Sequence, residues 1–165
     1  MDNFIVISNS TPMILLQKVG QLELLKSLYS EIYIPEAVYK EVIIDSAGKN
    51  KDDDFISAHD WIKIIKIQDT KSKKLFKTSL HEGEVETILL ALEMSADLCL
   101  LDDLLARKYA KSVGINISGT LGVLITAKNK SYVKEVKPIL EQLLSAGMYI
   151  NAKLYASVLS TAKEI

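Results

Sequence analysis

Apolar positions along the chain fall into two kinds of pattern, short β-branched runs and longer stretches in which apolar residues recur three and four apart. "FIVIS" (4–8) is a buried-strand run, and "NSTPMILLQKVG" after it reads as a helix that Thr11 caps, Pro12 opens and Gly20 stops. "QLELLKSLY" has helical spacing, "EIYI" is a second strand, and Pro35 opens the helix "PEAVYKEVII". The polar segment 45–60 reads as a loop with room for one short helix. "WIKIIKI" suggests an edge strand, since its lysines need water, and the Lys-rich "QDTKSKKLFKTS" a solvated linker. From residue 80 the order is helix "HEGEVETILLALEMS", strand "DLCLL", helix "DLLARKYAKSV", strand "INIS" and helix "GTLGVLITAKNK". Such alternation predicts an α/β sandwich, a small, mainly parallel sheet between two helical layers. Residues 131–165 add two amphipathic helices as a C-terminal extension of one domain.

Composition narrows the function classes. A chain of 165 residues, 48% hydrophobic, is long enough for one domain that buries roughly two-thirds of its unfolded surface. A net charge of −1 excludes a bulk polycation that coats nucleic acid, so any nucleic-acid contact must be local. The lone Cys99 excludes a disulfide framework and a thiolate metal site. The apolar run near the start is too short for a signal peptide or a membrane span, and a soluble, cytoplasmic protein is expected.

Ligands of open parallel sheets bind beyond the carboxyl ends of the strands. "NST" follows the first strand, and Asp102 with Asp103 follows "LCLL", so the fold would bring Asn9 and the aspartate pair to one edge. Helical spacing adds Glu41, beside the stripe of Val38 and Val42, and Glu84, which flanks an inward stripe of Val85, Ile88, Leu89 and Leu92. Glu86 lies on the opposite flank. Carboxylates gathered at one edge repel one another unless a cation neutralises them, and a hard divalent ion such as Mg²⁺ or Mn²⁺ prefers oxygen ligands. Such an ion suits the attack of water on a phosphodiester.

Each acid also has a structural explanation. Asp102 can cap the helix it precedes, Asp103 suits that helix's dipole, and Ser79 with Glu82 can form a capping box. Arg107, the only arginine, is spaced for an ion pair with Asp103, yet its planar guanidinium also suits a carboxylate or a phosphate. His59 and His81 share no metal-ligand spacing. The phosphate loop, the dinucleotide fingerprint and the nucleophile elbow are all missing, and Asn9 cannot serve as a phosphoaspartate.

The segments "VISNSTPMILL", "IPEAVYKEV", "HEGEVETILLALE", "LLDDLLARKYAKSVGINISGTLGVLITAK" and "LLSAGMYINAKLYASVL" follow one another as in a subgroup of PIN-domain proteins. The resemblance covers nearly the whole chain. It is most specific where GE-x-E, DD-x-x-x-R and SGTLGVL occur in order. It implies a PIN-like α/β/α sandwich and a metal-dependent endoribonuclease, with RNA as substrate and a role as the toxin of a toxin-antitoxin pair. Carried over by position, it implies Asn9, Glu41, Glu84 and Asp103 as ligands of Mg²⁺ or Mn²⁺, and Glu41, Glu84, Asp102 and Asp103 as catalytic acids. Ser10, Ser118 and Thr120 would lie close by as binding residues, with Arg107. Asn9 stands where most active PIN domains carry aspartate. An amide oxygen still binds a metal or its water, but without charge, so weaker metal binding is expected.

Two readings follow, a nuclease and a PIN-like module that binds nucleic acid or a partner protein without turnover. A cognate antitoxin is the partner implied by the first. Leu140, Leu143, Leu144, Leu154, Val158 and Leu159 exceed what a small sheet needs covered, so a homodimer is expected.

Overall fold

The computed structural model describes residues 3–46, 54–76 and 80–165. Among these the chain runs β1 (Val6–Ser8), α1 (Ser10–Lys18), α2 (Glu23–Tyr29), β2 (Ile32–Pro35), α3 (Glu36–Ser46), β3 (Ile62–Ile65) and α4 (Thr70–Lys73). It continues α5 (Glu82–Glu93), β4 (Leu98–Leu100), α6 (Leu104–Ser112), β5 (Ile117–Ser118), α7 (Thr120–Asn129), α8 (Lys137–Ser145) and α9 (Ala152–Thr161). The strands form one sheet of order β3-β2-β1-β4-β5 in which every pairing is parallel. β3 lies at an edge, with Lys63 and Ile64 exposed, as its lysine pattern predicts. No helix of the described residues is long and apolar enough to cross a membrane.

Alternation along the strands divides the core in two. Val6, Ile32, Ile34 and Leu100 face the layer built from α1, α2, α7, α8 and α9, to which α3 contributes Val38 and Val42. Ile7, Cys99 and Leu101 face the opposite layer of α5 and α6. The sheet is therefore covered on both sides, which is why its strands read as continuous apolar runs. Burial pushes the Cys99 thiol up to about 12, so it packs as a small apolar side chain.

Several local expectations are corrected. α1 begins at Ser10 with Asn9 in the N-cap position, so Thr11 is already helical and Pro12 sits in the first turn, where a missing N–H costs no helical bond. Gly20 does end the segment, with a φ of 71° that glycine adopts freely. The apolar stripe of α5 is too narrow an account, because Gly83 to Ala91 are all buried while Leu92 is exposed. The polar segment read as a loop from residue 45 starts inside α3; its residues 47–53 lie outside the described residues, and Asp54 organises a turn by accepting from Ser57 N and Tyr39 Oη.

The Lys-rich linker is not simply solvated. Glu93 accepts from the backbone N–H groups of Gln68 and Asp69, and Lys73 of α4 pairs with Glu82 and, at 2.7 Å, with the buried Glu86. Glu86 also accepts from Ala37 N at 3.2 Å, so one buried carboxylate joins α5 to the start of α3. A charge so placed needs these partners to offset its desolvation.

Four of the six apolar residues behind the homodimer expectation, Leu140, Leu143, Val158 and Leu159, are buried in the chain's own core. The extension closes on that core through Glu164, which accepts from Val136 N at 2.7 Å, Lys137 N at 2.9 Å and Lys128 Nζ at 2.9 Å. Burial pushes the Glu164 pKa upward, but the bonds from Lys137, Val136 and Lys128 outweigh it and hold the pKa below the usual range. A depressed pKa contributes stability above the ordinary glutamate pKa and loses it as pH falls through the lowered value. Replacing Glu164 by alanine is therefore expected to cost about 2 kcal/mol in urea unfolding at pH 7. That difference should vanish in strong acid, where the wild-type carboxylate is protonated too.

Candidate functional site at the carboxyl edge of the sheet

β1 pairs with β2 on one side and β4 on the other, so the strand order reverses direction at β1. A reversal of this kind opens a crevice at the strands' carboxyl ends, because the loops that follow depart to opposite faces. Asn9 leaves β1 there, and its backbone N–H donates to Leu100 O at 3.0 Å, which sets it alongside the turn that carries Asp102 and Asp103. Its side chain is only 4% exposed, and Oδ1 is the sole buried side-chain oxygen or nitrogen among the described residues with no hydrogen-bond partner. A buried amide oxygen without a donor is costly, and it fits a position where a ligand completes the bonding.

The two adjacent aspartates take different tasks. Asp103, not Asp102, is the N-cap of α6, accepting from Ala106 N at 2.9 Å. Asp102 turns toward α7 instead, where Oδ1 accepts from Thr120 N at 2.8 Å and Oδ2 from Thr120 Oγ1 at 2.6 Å. It thereby satisfies a free N–H at the start of a helix 18 residues further along the chain. Arg107 makes no ion pair among the described residues; its Nη1 donates to Leu101 O at 2.8 Å, which anchors a half-buried guanidinium against the aspartate turn.

Glu41 performs the same service from another direction. Its Oε2 accepts from Ser10 Oγ at 2.7 Å and its Oε1 from Gly83 N at 2.9 Å, so α3 is tied to α1 and to the first turn of α5. Glu84 reaches back to accept from His81 N at 2.9 Å. The reciprocal cap thus involves His81 and Glu84; the box expected from Ser79 and Glu82 falls on Ser79, outside the described residues.

Motif glycines acquire a physical reason here. A Cβ on Gly83 would collide with the Glu41 carboxylate, and one on Gly119 would lie 2.5 Å from Asp102 Oδ1. Gly122 clears space for Ser118 Oγ in the same way. The glycines of GE-x-E and SGTLG therefore keep helix starts open to side chains from other elements.

Glu84 is 5% exposed and stands beside Asp103. Its pKa is raised chiefly by burial; the bond from His81 N pulls it back, and the neighbouring Asp103 pushes it up again. Among the described residues no three of the His, Cys, Asp and Glu side chains gather closely enough to hold one ion together. The structure thus brings Glu84 and Asp103 together, whereas Glu41 and Asp102 are drawn into helix caps. The Glu84 and Asp103 carboxylates are oxygen donors of the kind that Mg²⁺ and Mn²⁺ accept, and Asn9, with its unpartnered amide oxygen, leaves β1 at the same edge of the sheet.

A family model described as a PIN domain matches residues 5–164. No curated protein matches the sequence.

Two stability measurements check this geometry. Gly83→Ala gains about 1 kcal/mol of helix propensity but expels the Glu41 carboxylate from a charged hydrogen bond worth about 1.5–3 kcal/mol, so a net loss of roughly 0.5–2 kcal/mol is expected. A stabilised variant would show that the Glu41 contact is weaker than drawn. Glu84→Gln keeps an oxygen for His81 N and removes the buried charge beside Asp103, so the metal-free melting temperature should rise at neutral pH. Because the folded pKa of Glu84 is raised, its favourable contribution is full below the ordinary glutamate pKa and is lost as pH climbs through the raised value. The advantage of Glu84→Gln should accordingly grow with pH across that window and disappear in acid.

Proposed function

The chain belongs to the PIN-domain family, whose members are generally divalent-metal nucleases, and on that premise we propose that it is a Mg²⁺- or Mn²⁺-dependent endoribonuclease. The observation that supports this most is the pairing of Glu84 with Asp103 at the sheet edge where Asn9, whose buried Oδ1 has no partner among the described residues, leaves β1 at the switch point. Asn9, Glu84 and Asp103 would hold the cation. When bound, it supplies the Lewis acidity and charge that phosphodiester hydrolysis requires.

The chain's own residues provide positioning. Arg107, fixed by Leu101 O, retains guanidinium donors that suit a phosphate oxygen, and a planar fork orients such a group better than lysine would. Ser118, at the end of β5, flanks the same edge and suits a sugar or phosphate contact, whereas Thr120, expected there as a binding residue, is fully buried and spends its N–H and hydroxyl on Asp102. Asp103 caps α6 through one oxygen, which would leave the other for a cation. A cytoplasmic role as the toxin of an antitoxin-controlled pair extends the same proposal.

The second reading, a module that binds RNA without cutting it, draws on Asn9, since an amide in place of a carboxylate lowers the charge available to the cation. One experiment separates the two. A mixed RNA pool should be degraded with Mn²⁺ and left intact with EDTA, and Asp103→Asn should slow cleavage roughly 100-fold or more. Asparagine caps a helix as well as aspartate, so a loss of activity in this variant would not reflect a lost fold. RNA that is retained on the protein but never cut, with or without Mn²⁺, would favour the binding module.

A further inference from the structure

We infer that an RNA strand crosses the carboxyl edge along the row α3, α5, α6, with its backbone phosphates held by Arg107 on one flank of the Glu84–Asp103 pair and by Lys40 on the other. The inference rests on the RNA reading above and adds to it a second phosphate anchor, Lys40 of α3.

Two carboxylate contacts set the order of the row. Glu41 joins α3 to the first turn of α5 through Gly83 N at 2.9 Å, and Glu84 of that same turn stands beside Asp103, the N-cap of α6. The acid pair therefore lies between α3 and α6. Packed helices are about 8–10 Å apart, so the row spans on the order of 20 Å, room for a short run of nucleotides. Acids alone would repel such a polyanion, and a strand that passes over them needs cations on both sides.

On the α6 side Arg107 is anchored to Leu101 O and makes no ion pair among the described residues. On the α3 side two lysines approach Glu82, the residue before Gly83. The Glu82 pKa is held below the usual range first by its bond from Lys73 and also by the charge of Lys40. Lys73 is committed to the fold, since it also pairs with the buried Glu86 at 2.7 Å. Lys40 is not. It is exposed, it precedes Glu41 and so stands at the rim of the acid site, and it forms no ion pair among the described residues. The two anchors also differ in kind: a planar guanidinium orients one phosphate, whereas a flexible ammonium catches a neighbouring one without fixing its direction.

The test measures anisotropy of a fluorescent single-stranded RNA on the whole chain, in EDTA and again with Ca²⁺, across a range of salt. Each lost phosphate contact lowers the slope of log affinity against log salt by about 0.7. Lys40→Ala should therefore lower the slope by about 0.7 and weaken binding about threefold or more at low salt, equally for two unrelated sequences, with an unchanged melting temperature. Lys40→Arg should restore the slope. Arg107→Ala should lower the slope by a similar amount and the double variant by about 1.4. Lys130, which ends α7 at the opposite end of the sheet, provides the control, and Lys130→Ala should leave affinity and slope as they were. A wild-type slope in Lys40→Ala, or an equal loss in Lys130→Ala, would overturn the inference alone, whether or not Arg107→Ala folds. RNA whose binding depends on Lys40 but which Mn²⁺ never causes to be cut would support the inference and overturn the nuclease reading. A wild-type chain that holds no RNA under either condition would overturn both.

Discussion

Helix starts that lack partners for their N–H groups meet carboxylates that lack partners for their charge, and this exchange governs the carboxyl edge of the sheet. α5 receives Glu41 at Gly83 N and Glu84 at His81 N, α6 receives Asp103, and α7 receives Asp102. Each bond removes an orphan donor and places a negative charge at the positive end of a helix dipole. Four acids can crowd one edge only because the backbone neutralises much of what they would otherwise inflict on each other. What remains unneutralised is the Glu84–Asp103 pair, where burial and the neighbouring carboxylate together hold the Glu84 pKa above the usual range.

Much of this was legible along the chain. Strand and helix alternate so regularly after residue 80 that a parallel sheet between helical layers follows, and a parallel sheet sends the residues after β1 and β4 to the same end. Asn9, Glu41, Glu84 and the aspartate pair were thus within reach of spacing arguments, and the resemblance to PIN domains selected the same residues. The partners of those residues were not legible. Asp102 was the natural cap for the helix that follows it, yet Thr120 draws it across to α7 and leaves the local cap to Asp103. Which of two adjacent carboxylates caps locally depends on where the next helix starts in space, and linear spacing contains no record of that.

Lys73 and Glu86 illustrate the same limit. A run of lysines ordinarily means solvated surface, and a glutamate on a helix flank ordinarily means the rim. Here the two meet because β3 sends the chain back across α5, and Glu86 is buried between α4 and α3. The motif glycines show the converse. Their presence was obvious in GE-x-E and SGTLG, but a glycine inside a helix start gives no hint of which side chain fills the space until the neighbouring element is in position.

The partnership of β1 with β4 also bears on synthesis. Asn9 lies beside residues made some 90 positions later, and Asp102 is secured only once Thr120 has emerged and α7 has begun to form. A fragment that stops short of β4 leaves β1 without its neighbour on that side, and one that stops short of residue 120 still lacks the start of α7 that holds Asp102. The carboxyl edge is therefore assembled only after about two-thirds of the chain has been made, and its last tie, from Asp102 to Thr120, closes over 18 residues.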